Sequence, residues 1–584
     1  MDSDQLLRFG CSNYDSDEDD DLTFNEAPLD GAQEESSTEV QVREMDVDEI
    51  LIQTGQCGRF QVLITVMMGI LAFSHSFVIL SFYFMAHSPE WECKSNFTAT
   101  DSLPHKNQSS GFCNQNAHKG KIFKNDNDAR CHMDRNAWKY HYNKTTLLME
   151  YDLVCDRSWL DALIGSVIFI GWGLGALFWG RCSDAYGRKK VMYPCMFFLL
   201  VFALLQAFIT SPWQLVVLRF LCGFFLQAPA LNSFILIAEF AGPDRRVFLT
   251  TLSSIGWTAG LFLMTLKGYL IDSWRTLTIL CSAPYFIVLL TALAVPESVR
   301  WLNTSGRRMK AEMILRKIAK TNKSPLDQSV RLKAALHEEK KASYIDLFRK
   351  LDRAKLVLFQ AFMWFTCGLC YYGLTYGADD FGLDMYVSFM LSVAVEMPAG
   401  LLAMFMQKKL GRKKTGLISF SLTAICCVMY TVVASLNKFS SANIIKECFG
   451  VLGKAAAAIN FSTMYLWSAE LYPTVVRTQG MGINIIASRA GSGSSLPVII
   501  LLKKVSPRLP LVIFGVAALI SVLFCSMLPE TKGRPTRESL DDFEYKRQEM
   551  IDMAGLSVTF SNASDWGPDA IQEERSASNI NINI

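Results

Sequence analysis

Long apolar runs joined by short charged connections dominate the chain. Phe60 to Met85, Leu160 to Trp179, Val191 to Ile209, Trp213 to Ala238, Phe248 to Ile271 and Leu277 to Val295 form one series. Leu356 to Gly377, Met385 to Met406, Thr415 to Leu436, Ile444 to Trp467, Val475 to Leu502 and Leu509 to Leu528 form a second. Each is about long enough to cross a hydrocarbon core of roughly 30 Å as a helix. The pattern predicts an all-α membrane protein of twelve transmembrane helices in two six-helix bundles, residues 58–295 and 356–528. Between the bundles, residues 296–355 turn charged, with Arg307-Arg308, Lys340-Lys341 and apolar positions at helical spacing, which reads as a cytosolic linker with amphipathic helix. Residues 1–57, carrying Asp15-Ser16-Asp17-Glu18-Asp19-Asp20-Asp21, are expected to form an unstructured acidic cytosolic tail, and residues 529–584 a second polar tail.

Charge places the ends of these helices. The connection Gly180-Arg181-Cys182-Ser183-Asp184-Ala185-Tyr186-Gly187-Arg188-Lys189-Lys190 reads as a tight cytosolic hairpin, with Gly180 and Gly187 permitting a turn of positive φ. A weaker copy, Gln407-Lys408-Lys409-Leu410-Gly411-Arg412-Lys413-Lys414, occupies the matching place in the second half. Arg181, Arg188, Lys189, Lys190, Arg245, Arg246, Lys408, Lys409, Arg412, Lys413, Lys414 and Arg477 flank one side. The other short loops hold Arg275, Lys438, Lys503, Lys504 and Arg508. That bias puts both termini in the cytosol. No signal peptide can be drawn before the first run, so that run is expected to direct insertion itself.

The exterior then receives the polar insert 87–157, with Cys93, Cys113, Cys131 and Cys155 and the sequons at Asn96, Asn107 and Asn143. An even cysteine count beside clustered sequons predicts an oxidised, glycosylated loop. Four cysteines allow three pairings, and the sequence does not choose among them. A zinc site is the rival reading, disfavoured by the lack of close cysteine spacing in this insert. The sequons at Asn303 and Asn322 fall in the cytosolic linker and should be silent. The exposed loop is also where a homo-oligomer would form.

Composition narrows the class. At 584 residues, 51% hydrophobic, the chain is too apolar for an ordinary soluble enzyme. Its net charge of +2 is spread over loops rather than one basic face, which argues against nucleic-acid binding. No nucleotide-binding motif appears, so an ATP-driven pump is set aside, and no enzymatic activity, cofactor or metal is expected. Whether Na+ or H+ couples to transport is left open.

The pattern G-x-x-S-D-x-x-G-R-x-K at Gly180 to Lys190 resembles the major facilitator superfamily. A large sequon-bearing loop closing on Glu150-Tyr151-Asp152-Leu153-Val154-Cys155 resembles the organic ion transporters of solute carrier family 22. Asp48-Glu49-Ile50-Leu51, Glu239-Phe240-Ala241-Gly242-Pro243, Pro296-Glu297-Ser298-Val299-Arg300-Trp301-Leu302, Glu470-Leu471-Tyr472-Pro473-Thr474-Val475-Val476-Arg477 and Leu528-Pro529-Glu530-Thr531-Lys532-Gly533 agree with it, with Val299 where that family has proline. The resemblance implies secondary transport by alternating access. It implies gating roles for Asp184, Arg188, Gly180, Gly187, Glu470, Arg477 and Arg412, with Glu470 and Arg477 able to pair.

Polar groups inside the apolar runs are the candidate chemistry, since such groups face a cavity or a partner. His75 reads as a packing histidine, Arg219 as structural, and Lys267 as a rim residue whose stem snorkels. Glu396, next to the kink-forming Pro398, and Arg489, central to the eleventh run, form the main candidate site. Tyr371, Tyr372 and Phe365 would supply aromatic walls. Gln227 stands where several relatives of the family place lysine. Arg489 reads either as a structural partner of Glu396 or Glu447, or as the group that grips a substrate carboxylate. Cys367 and Cys370 read as apolar filler. One cation with one anion favours a zwitterion of carnitine or betaine type, or an organic cation. An organic anion carrier and a receptor that keeps the fold without transporting are the alternatives.

Overall fold

The computed structural model describes residues 43–87, 90–94, 122–123, 131, 133, 135–142, 144–334, 344–378, 383–436, 442–473 and 476–533. Eleven of the described helices are long and apolar enough to cross a membrane, from Arg59–Met85 to Trp274–Leu293 in the first half and from Leu351–Tyr376 to Leu509–Met527 in the second. Ala442–Leu471, 30 residues long, fills the place of the tenth and completes the expected twelve. Its Lys446, Glu447, Lys454 and Glu470 make it less apolar than its neighbours. The sixth span breaks at Pro284, between Trp274–Ser282 and Pro284–Leu290. The eighth breaks at Val395, between Met385–Ala394 and Glu396–Leu410, because Pro398 has no N–H for the Ala394 carbonyl.

The two halves use the same packing device. The fourth span, Pro212–Phe240, crosses the second, Ser158–Tyr186, so closely that a Cβ at Gly223 would fall 1.9 Å from the Ile168 carbonyl oxygen. The eleventh, Arg477–Leu502, crosses the seventh in the same way, with a Cβ at Gly491 falling 2.0 Å from the Phe365 carbonyl oxygen. Only glycine fits either crossing, and small residues at such points let backbones approach where lipid offers no hydrophobic drive.

The turns at Gly187 and Gly411 are tighter than the sequence suggests. The second span runs on through Gly180 to Tyr186, so Gly180 is helical and the hairpin reduces to Gly187, at φ 110°. Its counterpart is Gly411, at φ 92°. Each glycine precedes a helix whose first amides are capped by a carboxylate from the end of the same half. Glu297 Oε1 accepts from Arg188 N at 2.9 Å and Lys189 N at 3.0 Å. Glu530 accepts from Arg412 N at 2.9 Å and Lys413 N at 3.1 Å. These carboxylates satisfy orphan donors and sit at the positive end of the helix dipole.

At the amino end, residues 43–57 are structured, unlike the tail the sequence suggests for them. A helix spans Val47–Gln53 with Ile50 and Leu51 buried. Its Asp48 bonds both Arg246 and Arg300, tying the segment to the fifth span and the linker. The linker forms helices Val299–Thr304 and Arg308–Asn322. Asn322 donates to Thr54 O at 2.9 Å and accepts from Phe60 N at 3.0 Å, so this sequon asparagine is spent on packing.

Outside, Trp91–Cys93 is the central strand of a three-stranded antiparallel sheet between Ile122–Phe123 and Trp138–Tyr140. Cys131 and Cys155 form a disulfide, and Cys93 is disulfide-bonded. Cys113, Asn96, Asn107 and Asn143 lie outside the described residues. Glu150 accepts from Trp274 Nε1 at 2.7 Å and pairs with Arg275, fastening the loop to the sixth span.

The Glu530 cap is sensitive to acid. Burial raises its carboxyl pKa, but donation from the amides of Lys532, Arg412, Thr531 and Lys413 outweighs that and holds it below the usual range. A depressed native pKa gives stability that is complete above the unfolded value of about 4.3 and fades as pH falls through the native one. Glu530→Gln is expected to cost about 1 kcal/mol at neutral pH, allowing for its exposure. Thermal unfolding in detergent should show that deficit shrinking as the pH is lowered below about 4; an unchanged deficit would remove the charge from the cap.

Candidate substrate site

Three helices of the second half bring a buried charge pair together, its two members near the middle of the eighth and tenth spans. Glu396 opens the inner segment of the eighth span, Tyr371 and Thr375 lie one turn apart on the seventh, and Lys454 lies in the tenth. Glu396 Oε1 accepts from the Tyr371 hydroxyl at 2.6 Å and from Lys454 Nζ at 3.0 Å. Lys454 also donates to Thr375 Oγ1 at 2.6 Å and faces the Tyr371 ring, 3.0 Å from its centroid. The Lys454 and Glu396 side chains are only 1% and 8% exposed. The sequence singled out Glu396 and Tyr371 but missed Lys454, although a lysine in Gly453-Lys454-Ala455-Ala456 is the same signal that drew attention to Arg489.

Arg489 is not the partner of Glu396. Its guanidinium carbon lies 3.4 Å from the centroid of the Trp172 ring, which comes from the second span in the opposite half. The Tyr372 hydroxyl interacts with it from the seventh span. Arg489 Nε is buried with no hydrogen-bond partner, and among the described residues no carboxylate stands within ion-pair distance. Glu447, the other candidate partner, instead accepts from Ser388 Oγ at 2.8 Å. The guanidinium is therefore held by aromatic faces, which offset part of its desolvation without cancelling its charge.

Aromatic rings continue around it. Tyr372 packs edge-on against Phe169 of the first half at 4.7 Å, and Tyr371 lies 5.1 Å from Tyr372 and 5.2 Å from Phe461. The Trp257 indole of the fifth span reaches the Tyr371 hydroxyl. Phe365 stays on the crossing of the seventh and eleventh spans, with its ring 6.3 Å from Phe362. Gln227 is buried on the fourth span, its Cβ 3.1 Å from where a Cβ on Gly175 would sit. His75 packs edge-on to Tyr285 at 5.7 Å, Arg219 donates to the Ile164 carbonyl at 2.9 Å, and Lys267 donates to the Leu280 carbonyl at 2.9 Å over the Phe77 ring.

The two faces of the membrane differ. On the outer side the halves touch: Tyr376 donates to the Ile79 carbonyl at 3.3 Å, Phe84 stacks on Tyr386 at 5.7 Å, and Tyr83 lies 4.8 Å from Phe389. At the opposite ends of the spans the ion pairs described join groups of the same half. Arg188 bonds Asp184 at 2.6 Å and lies 3.8 Å from Glu239, and Arg412 bonds Glu470 at 2.6 Å. The expected Glu470 to Arg477 pair gives way to Arg412, while Arg477 Nε donates to the Tyr472 carbonyl at 3.3 Å. Glu239 and Glu470 end the fourth and tenth spans, so the two halves repeat one charge cluster.

A family model described as "Sugar (and other) transporter" matches residues 62–543. The chain belongs to that family. Within it, the chain is 30% identical to organic anion transporter 3 of Oryctolagus cuniculus over 517 residues, 86% of this chain and 94% of the relative. It is 30% identical to solute carrier family 22 member 13 of Homo sapiens over 521 residues, 85% and 93%. It is 32% identical to solute carrier family 22 member 7 of Mus musculus over 431 residues, 72% and 78%. The fold is similar to the partially occluded inward open conformation of the xylose transporter XylE from E. coli, with TM-score 0.55 at 16% identity, covering 82% of this chain and 99% of that one. This member of solute carrier family 22 is a multi-pass membrane transporter of organic ions with the major facilitator fold.

Lys454 and Glu396 depend on each other. Removing one partner of a buried pair leaves an uncompensated charge and typically costs about 3 to 5 kcal/mol. Lys454→Met is expected to lower the unfolding temperature and the surface amount sharply, and Lys454→Met with Glu396→Gln to recover most of both. A stable Lys454→Met single variant would show that the pair carries no such coupling.

Proposed function

We propose that this chain moves small organic anions across the plasma membrane by alternating access, with Arg489 as the group that meets the substrate's negative charge. One observation carries the reading: Lys454 sits 3.0 Å from Glu396 and neutralises it, leaving Arg489 beside Trp172 with no carboxylate of its own. The names of the relatives, organic anion transporter 3 among them, agree with it.

The chemistry follows from the guanidinium. Its planar donors match a carboxylate or sulfonate bidentately, and Arg489 Nε has no protein partner to give up. Trp172, Tyr371, Tyr372 and Phe461 offer faces for an aromatic or aliphatic body. An organic cation would meet repulsion from Arg489. A zwitterion would find its positive end without a free carboxylate, since Glu396 already holds Lys454 and the Tyr371 hydroxyl. With the site between the halves and the outer contacts closed, rocking of one half against the other would expose Arg489 to either side in turn.

Matched labelled compounds test this: an aromatic carboxylate, its neutral amide and its amine counterpart. Only the carboxylate should be taken up efficiently. Arg489→Gln should lower its uptake by about one to two decades at constant surface amount, as expected for loss of a charged hydrogen bond worth about 1.5 to 3 kcal/mol. If the amide enters as fast as the carboxylate in the unaltered protein, the anion reading is wrong.

A further inference from the structure

On the cytosolic side, the linker helix Arg308–Asn322 lies against the start of the third span and leaves a groove of about 370 Å³. Lys190, Arg307, Lys310 and Lys317 line it, all exposed, and among the described residues none of the four is in an ion pair. Arg307 lies over the Trp301 ring at 5.5 Å, and Lys317 sits close enough to Lys189 for the two ammonium groups to repel. The one carboxylate among the lining residues, Glu297, accepts from the amides of Arg188, Lys189 and Ser298 through Oε1. Four cations against one carboxylate leave the groove with a net positive charge, which an incoming anion relieves.

The floor of the groove is apolar, formed by Trp301, Met313 and Ile314. Met313 and its neighbour Met309 are 61% and 80% exposed. A soluble protein surface would not gain from two bare methionines beside lysines, whereas a helix lying at a membrane surface places both kinds of residue to use. Lys190 begins the third span two residues after Arg188, so the groove opens where the cytosolic leaflet's headgroups lie.

We infer that this groove binds the headgroup of an anionic phospholipid of the cytosolic leaflet. The phosphates meet Lys190, Arg307, Lys310 and Lys317, and the glycerol and upper acyl chain rest on Trp301, Met313 and Ile314. The fold supplies its own control. Lys414 follows Arg412 and Lys413 as Lys190 follows Arg188 and Lys189, and it too is exposed, but it is not among the residues that line this groove.

The experiment uses the full chain in nanodiscs of phosphatidylcholine, with labelled phosphatidylinositol bisphosphate as the probe and soluble inositol phosphate as the competitor. Lys190→Gln and Lys310→Gln should each weaken binding about fivefold and the double variant more than tenfold, the loss expected for lysines facing an anionic surface. Lys414→Gln should leave it unchanged. Met313→Gln should weaken lipid binding and not inositol phosphate binding. Equal losses for Lys190→Gln and Lys414→Gln would reduce the effect to a diffuse basic belt. Full displacement of the lipid by soluble inositol phosphate at matched concentration would make the ligand a free phosphate. Either result overturns the inference.

Discussion

A charge inside a bilayer has to be cancelled or solvated, and Lys454 with Glu396 meets that demand within one half of the molecule. The contact fixes the seventh, eighth and tenth spans against one another through Tyr371 and Thr375. Glu396 and Lys454 form a paired charge, and Arg489 lies among aromatic rings with no carboxylate within ion-pair distance among the described residues.

The cytosolic ends follow another economy, in which each half closes on itself. Glu297 and Glu530 cap the third and ninth spans, Glu239 and Glu470 meet Arg188 and Arg412, and Ser298 and Thr531 bond those same glutamates. All of these contacts stay inside one half. Those contacts need not break when the halves move against each other, whereas the aromatic contacts of Phe84 with Tyr386 and of Tyr83 with Phe389 join the two halves.

Apolar runs of this length make the spans legible, because a helix satisfies its own backbone groups across that depth. Boundaries moved where local chemistry competes with periodicity. The second helix continues past Gly180 because nothing there demands a turn, and Ile50 and Leu51 order a segment whose surroundings read as acidic tail. The site was half legible. Glu396, Arg489, Tyr371 and Tyr372 announce themselves as polar or aromatic groups in apolar runs. Pairing between distant helices is not written in spacing, so Glu396 was set against Arg489 rather than Lys454, and Glu470 against its near neighbour Arg477 rather than Arg412. Trp172 left no signal, since tryptophan in a membrane helix is ordinarily packing.

The order of synthesis gives the carboxylate caps another meaning. The amides that open the third span are made early, yet the residue that caps them, Glu297, emerges only after the sixth span has been completed. The same delay separates Arg412 from Glu530. Until that last carboxylate arrives, the Gly187 and Gly411 turns expose bare helix ends at the membrane surface, open to water and to whatever holds nascent helices in place. Each bundle is thus locked by the final residues of its own translation, and the first can reach its finished cytosolic face while the second is still unmade.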